Sequence, residues 1–195
     1  MRITGVNKMS LALCPAVFID RDGVLNDMVE RGPSFWVYGK KVARTAPFSY
    51  AEFRLKDWVK EALEIISQAG FLRILASNQP DIAYGTLPQS ENERIMSAIS
   101  ALPLDDIFLC LHGRNDGCSC KKPKPGLLIQ AAQKWGISLK DSFIVGDGEA
   151  DMEAGRLAGC RTILIRTNYN SAVICDYSVD SLLDAAIFIR SLKGE

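Results

Sequence analysis

The chain has 195 residues, 48% hydrophobic and 24% charged, which suits one globular domain whose core needs no disulfide staples. Lys plus Arg number 23 and Asp plus Glu number 23, so the basic excess by which nucleic-acid binders neutralise phosphates is missing. A single histidine, His112, excludes mechanisms that need two, and any Ser-His-Asp or Cys-His site must use this one.

The first apolar run, 11–19, has the length of a signal-peptide core. It ends in Asp20-Arg21-Asp22 without a small-residue cleavage site, and reads instead as a buried strand. Residues 1–8 extend it, with Met9 as an alternative start. No stretch has membrane-spanning length, so the chain is expected in the cytoplasm.

Further strands are predicted at 16–19, 72–76, 107–111, 143–145 and 162–165. Helices are predicted at 57–68, with Asp57 as N-cap, and after Leu87, where Ser90-Glu91-Asn92-Glu93 has the form of a capping box. Three more follow at 126–135, with Pro125 in its first turn, at 152–157, ending at Gly159, and at 181–192. This alternation predicts an α/β three-layer sandwich, a mostly parallel sheet covered by helices on both faces. Between Asn26 and Asp57, Phe35, Trp36, Tyr38, Tyr50 and Phe53 stand among Gly, Lys, Arg and Pro with no helical period. Segment 27–56 is either a long surface hairpin or a flap over a site beside the first strand.

Cys14, Cys160 and Cys175 are scattered among apolar residues and read as small buried hydrophobes. Cys110, Cys118 and Cys120 instead crowd around His112, which points to metal rather than cross-linking. Cys-x-His and Cys-x-Cys on extended backbone each put two ligands on one side, and two such pairs can close a four-ligand structural zinc loop, 110–120.

In parallel α/β sheets, ligands bind beyond the carboxyl ends of the strands. Those ends deliver Asp20 and Asp22, then Ser77-Asn78-Gln79, then Lys121-Lys122 behind the cysteine cluster, then Asp147 with Asp151 four residues on. Such a set suits phosphoryl transfer through an aspartyl-phosphate. Mg²⁺ on Asp20 and Asp147 offsets the repulsion between two anions, Ser77 and Lys122 hold the transferring oxygens, and Asp22 serves as general acid and base.

Asp20-Arg21-Asp22-Gly23-Val24-Leu25-Asn26, Ser77-Asn78-Gln79, Cys118-Ser119-Cys120-Lys121-Lys122-Pro123 and Gly146-Asp147-Gly148-Glu149-Ala150-Asp151 resemble the haloacid dehalogenase (HAD) superfamily. More narrowly, they resemble its branch of histidinol-phosphate and D-glycero-D-manno-heptose 1,7-bisphosphate phosphatases. The resemblance spans roughly residues 16–169 and implies one HAD-like, Rossmannoid domain, 9–195, with the flap in place of a large cap domain. It implies Asp20 as nucleophile and Asp22 as acid and base. Mg²⁺ is then held by Asp20, the Asp22 carbonyl and Asp147, with Asp151 in support. Zn²⁺ on Cys110, His112, Cys118 and Cys120 is structural. Substrate contacts fall to Asn78 and Lys121, and Gln79 and the flap's Arg31 are further candidates read from the residues.

The expected substrate is a small phosphorylated metabolite, a heptose bisphosphate or related sugar phosphate, with histidinol phosphate as alternative if Glu30 and Asp27 of the flap recognise a cation. A polynucleotide 3′-phosphatase is disfavoured by the zero net charge, and a non-catalytic zinc module by the intact acids. A monomer or weak dimer without nucleic-acid or membrane partners is expected. Relatives carry Lys after the fourth-motif Asp where this chain has Gly148, so a second phosphate must find its anchor among Lys121, Arg31, Lys40, Lys41 and Arg44.

Overall fold

The structure, a computed structural model, describes residues 13–193 apart from residue 38. The extension 1–8, the start at Met9 and the side chain of Lys40 lie outside the described residues. The chain opens with β1 (Ala16–Ile19), followed by four two-residue strands, β2 (Val29–Glu30), β3 (Trp36–Val37), β4 (Lys40–Lys41) and β5 (Arg44–Thr45). Then come α1 (Val59–Gln68), β6 (Leu72–Asn78), α2 (Gln89–Ser100), β7 (Asp106–Cys110) and α3 (Gly126–Trp135). The last elements are β8 (Phe143–Gly146), α4 (Glu149–Ala158), β9 (Arg161–Ile165), β10 (Tyr177–Val179) and α5 (Leu182–Ser191).

Six strands form one sheet in the order β10-β9-β8-β1-β6-β7, with every neighbouring pair parallel. All four residues of β1 are inaccessible, as befits a central strand covered on both faces. Its period of two sends Val17 and Ile19 to one side and Ala16 and Phe18 to the other. The first pair meets a core built with Leu63 and Ile66 of α1, Ile95 and Ile99 of α2, and Ala186 and Ile189 of α5. The second pair meets Leu127, Leu128 and Ala131 of α3, beside which α4 packs. The three layers expected from the alternation are therefore present.

Residues 26–57 form a nested hairpin, with β2 antiparallel to β5 and, beyond them, β3 antiparallel to β4. Its root is pinned by Asp27 N–H to Arg54 O and Lys56 N–H to Leu25 O, both at 2.9 Å.

Several local expectations are corrected. Asp57 does not cap α1; the helix starts at Val59 after Trp58, which sits in the left-handed region at φ 64°. The buried stripe Val59, Ala62, Leu63 and Ile66 sets the start, overriding the cap preference. In α2 Pro88 occupies the N-cap, because it fixes φ and lacks an N–H, and Ser90 falls inside the first turn. Glu93 there accepts from Gln89 Nε2 at 3.0 Å instead of closing a capping box. α4 begins at Glu149, three residues early, where Asp151 accepts the Gly148 N–H at 3.2 Å. β10 is too short for any periodicity to reveal and exists through its parallel pairing with β9.

Phe18 lies fully buried two residues before Asp20. Phe18→Ala is expected to lower the unfolding free energy by about 3–5 kcal/mol, measured by urea denaturation.

Candidate active site

β1, β6 and β8 are neighbours at the centre of the sheet, so their carboxyl ends converge. Asp20 is fixed just past β1 by its N–H to Val145 O at 3.0 Å. Ser77, at the end of β6, donates its hydroxyl to Asp20 Oδ1 at 2.8 Å. Asp147 follows β8, and the tight Gly23 turn lets it come close. Gly23 has φ +84°, and a Cβ there would fall 2.1 Å from Asp147 Oδ2, so no other residue fits without displacing the carboxylate.

Lys122 enters this convergence from the loop between β7 and α3. Its ammonium donates to Ala76 O at 2.7 Å and to Asp151 Oδ1, and pairs with Asp20 Oδ1 at 2.9 Å. Burial opposes the charge, but the carboxylates of Asp151 and Asp20 outweigh it and hold the lysine above its ordinary range. Asp151 is pushed up by burial, against the pull of Lys122. Asp147 is raised to about 6, first by burial, with the Tyr169 hydroxyl opposing and the Asp20 charge adding. Oxygen atoms of Asp20, Asp147 and Asp151 lie within 4.8 Å of one another. Crowded, buried carboxylate oxygens are the donor set a hard divalent cation takes, and these residues fit Mg²⁺. Since both Asp151 oxygens are engaged, by Lys122 and by Gly148 N–H, the ligands best placed are Asp20 and Asp147.

Asp22 occupies a separate network. Its carboxylate accepts from Arg21 Nε at 3.2 Å and NH2 at 3.0 Å, from Asn26 Nδ2 at 3.0 Å, and from Gln79 Nε2 at 2.7 Å. Arg21 has no accessible surface, and neither it nor Asn26 was singled out from the sequence. The available signal was their place within the run Asp20 to Asn26, where a buried arginine needs a carboxylate beside it. Gln79 also donates to Ser77 Oγ at 3.0 Å, tying the two networks together.

The segment from β7 to α3 brings Cys110, His112, Cys118 and Cys120 together. His112 Nδ1 lies 3.5 Å from Cys110 Sγ and 3.3 Å from Cys120 Sγ, and Cys110 and Cys118 sulfurs are 3.7 Å apart. A tetrahedral zinc with four such ligands has sulfur–sulfur edges of about 3.7 Å, so the cluster fits the ion. All four groups lie within 4.8 Å of one another and the cysteines are free thiols. Burial and the neighbouring sulfurs push the Cys120 thiol up to about 12, a repulsion that a bound cation relieves.

The residues expected to touch substrate are placed unevenly. Asn78 uses both amide atoms on the Lys122 backbone, accepting its N–H and donating to its carbonyl at 2.9 Å each, so it positions the lysine. Gln79 is spent on Asp22 and Ser77. Arg31 is engaged within the hairpin. Its guanidinium is paired bidentately with Glu52 at 2.6 and 2.7 Å and packed on Phe48 and Phe35, so it braces the hairpin. Arg44 is likewise paired with Glu30. Lys121 donates to the His112 carbonyl at 2.9 Å and is adjacent in sequence to Lys122. Among the described residues no helix is long and apolar enough to cross a membrane.

Comparison with known proteins agrees with this geometry. The HAD-hydrolase-like family model matches residues 119–185. A D-glycero-beta-D-manno-heptose-1,7-bisphosphate 7-phosphatase of Pasteurella multocida is 31% identical over 92% of this chain and 98% of its own. Its counterpart in Vibrio cholerae is 30% identical over 92% and 98%. The crystal structure of the D,D-heptose 1,7-bisphosphate phosphatase of B. bronchiseptica, complexed with magnesium and phosphate, superposes with a TM-score of 0.74. It is 25% identical and covers 91% of this chain and 99% of that one. Four strand-end motifs on one sheet and likeness along nearly the whole length place the chain in the heptose-bisphosphate phosphatase family of HAD-like hydrolases, as a phosphoric monoester hydrolase.

Proposed function

We propose that the protein is a Mg²⁺-dependent phosphatase that removes one phosphate from a heptose 1,7-bisphosphate or a closely related sugar bisphosphate. The observation that carries this reading is Asp20 Oδ1 held by Ser77 and Lys122 beside the Asp147 carboxylate. Mg²⁺, when bound by Asp20, Asp147 and the Asp22 carbonyl, supplies charge that lets two anions meet. Asp20 attacks phosphorus; the phosphorus–oxygen ester bond breaks, and its electron pair leaves with the sugar oxygen, which takes a proton from Asp22. Water then gives a proton to Asp22 and attacks phosphorus, and the bond to Asp20 breaks to restore the carboxylate. Ser77 and Lys122 face the oxygens on which charge gathers.

The names of the relatives support a heptose bisphosphate. The flap points the same way. The acids that would have recognised a cationic histidinol phosphate are already paired, Glu30 with Arg44 and Asp27 with Lys56. The zinc is structural in this reading, holding the segment that delivers Lys121 and Lys122, and the enzyme works in the cytoplasm.

Asp20→Asn is expected to lower kcat by about four orders of magnitude or more while the circular dichroism spectrum is unchanged. Residual activity within tenfold of the parent would refute the nucleophile. Asp22→Asn should lower kcat/KM, which reports the phosphorylation step, about 10²–10⁴-fold for an alkyl phosphate and much less for an aryl phosphate, whose leaving group needs no proton.

Metal analysis of the purified protein should find about one tightly bound zinc per chain, with activity still requiring added Mg²⁺. Cys120→Ala should lose the zinc, and with it both thermal stability and turnover. Zinc-free parent protein of full activity would contradict the assignment.

Lys121, next in sequence to Lys122, is the anchor proposed for the second phosphate. Lys121→Ala should raise KM for the sugar bisphosphate about tenfold, the scale of one charge-assisted contact, with little effect on an aryl monophosphate. Equal losses on both, measured in paired steady-state series, would remove it as the anchor.

A further inference from the structure

Asp147 is gripped by residues outside the four motifs. Tyr169, in the loop after β9, donates its hydroxyl to Asp147 Oδ2 at 2.6 Å. The adjacent Asn170, 4% exposed, donates Nδ2 to the Asp147 carbonyl at 2.9 Å and to Ile165 O at 2.8 Å. Its Oδ1 accepts the Thr167 N–H at 2.9 Å, closing the loop on itself behind the tyrosine. Arg44 of β5 lies over the Tyr169 ring, 4.6 Å from the centroid, and is held there by Glu30 on the paired strand β2. A chain of contacts thus runs from the hairpin through one aromatic ring to a single carboxylate.

A carboxylate on a short side chain can turn about its last bond, and a cation site loses affinity when its ligand must be ordered on binding. Engaging Oδ2 removes that freedom and leaves the other oxygen for the ion. Gly23 packs against the same carboxylate from the opposite loop, so hydroxyl and glycine bracket it. Tyr169 as a whole is 45% exposed, which is too much for a tyrosine buried for packing alone, while its hydroxyl is spent on Asp147.

We propose that Tyr169 is a positioning residue for the cation-binding carboxylate Asp147, and that Arg44, seated on its ring, makes the hairpin part of that clamp. The proposal rests on the reading of Asp20 and Asp147 as the Mg²⁺ carboxylates. Its test is calorimetric titration of Mg²⁺ into the full-length, zinc-loaded protein freed of Mg²⁺, without substrate. Tyr169→Phe keeps the ring and its contact with Arg44 and removes only the donor. It should weaken Mg²⁺ binding about tenfold, the usual scale for a group that orients a metal ligand. The activity deficit of the variant should shrink as Mg²⁺ is raised. Arg44→Gln leaves the hydroxyl in place and should weaken binding about threefold, as the loss of one cation–π contact implies.

Parent-like Mg²⁺ affinity in folded Tyr169→Phe would overturn the clamp. So would a turnover defect that added Mg²⁺ does not reduce. If Tyr169→Phe does not fold, Arg44→Gln decides: weaker Mg²⁺ binding supports the clamp and parent affinity overturns it. Absence of Mg²⁺ binding by the parent protein would instead overturn the cation reading itself, a result that the variants cannot mimic.

Discussion

The ammonium of Lys122, 2% exposed, sits between the carboxylates of Asp20 and Asp151 with the Ala76 carbonyl as its third partner. In water this arrangement would contribute little. In the interior it sets the electrostatics of everything nearby, because a buried charge that loses its partner costs about 3–5 kcal/mol. Asp20 can remain a dense acceptor at the end of a fully apolar strand because Lys122 and the Ser77 hydroxyl stand beside it. The same constraint explains why Asn78 is occupied with backbone. A lysine on a loop has four rotatable bonds and must be delivered to within tenths of an ångström, and two amide bonds at 2.9 Å fix where its stem begins.

The Cys/His loop and the hairpin are the two elements added to a plain doubly wound sheet. β7 pairs with β6 so that Cys110 faces Asn78 in register, and Gln79 N–H donates to Cys110 O at 2.7 Å. Cys110 of the Cys/His cluster and the Ser77-Asn78-Gln79 motif therefore share hydrogen bonds. Gly126 closes the other side: a Cβ there would fall 2.3 Å from the Ser119 carbonyl, so α3 can start only against the loop backbone. Two ion pairs brace the hairpin, Arg31 with Glu52 and Arg44 with Glu30. Those two arginines are neutralised within the hairpin, and Lys121 stands outside it.

Much of this was legible in the residues because it depends on local pattern. β1, the bounds of α3 and the start of β6 follow from apolar runs whose ends are marked by Asp, Pro or Gly. The convergence of Asp20, Ser77, Lys122 and Asp147 was readable because parallel strands deliver their carboxyl ends to one edge. What escaped depends on partners distant in sequence. Arg31 looked like a free cation until Glu52, 21 residues away, was brought beside it. Tyr169 lies 22 residues from Asp147 in an irregular loop, with no period or spacing to mark it. The caps of α1 and α2 failed for the opposite reason: a good local signal lost to the burial of Val59 in one case and to the fixed φ of Pro88 in the other.

The central claim is that phosphate passes through Asp20 and that Asp22 is needed to release it again. It is tested most directly by rapid-mixing kinetics of Asp22→Asn with an aryl phosphate, whose leaving group departs without a proton. The account predicts a burst of phenolate equal to the enzyme concentration, followed by slow turnover, with phosphate release lagging behind. Phenolate and phosphate appearing together at one slow rate, with no burst, would contradict it.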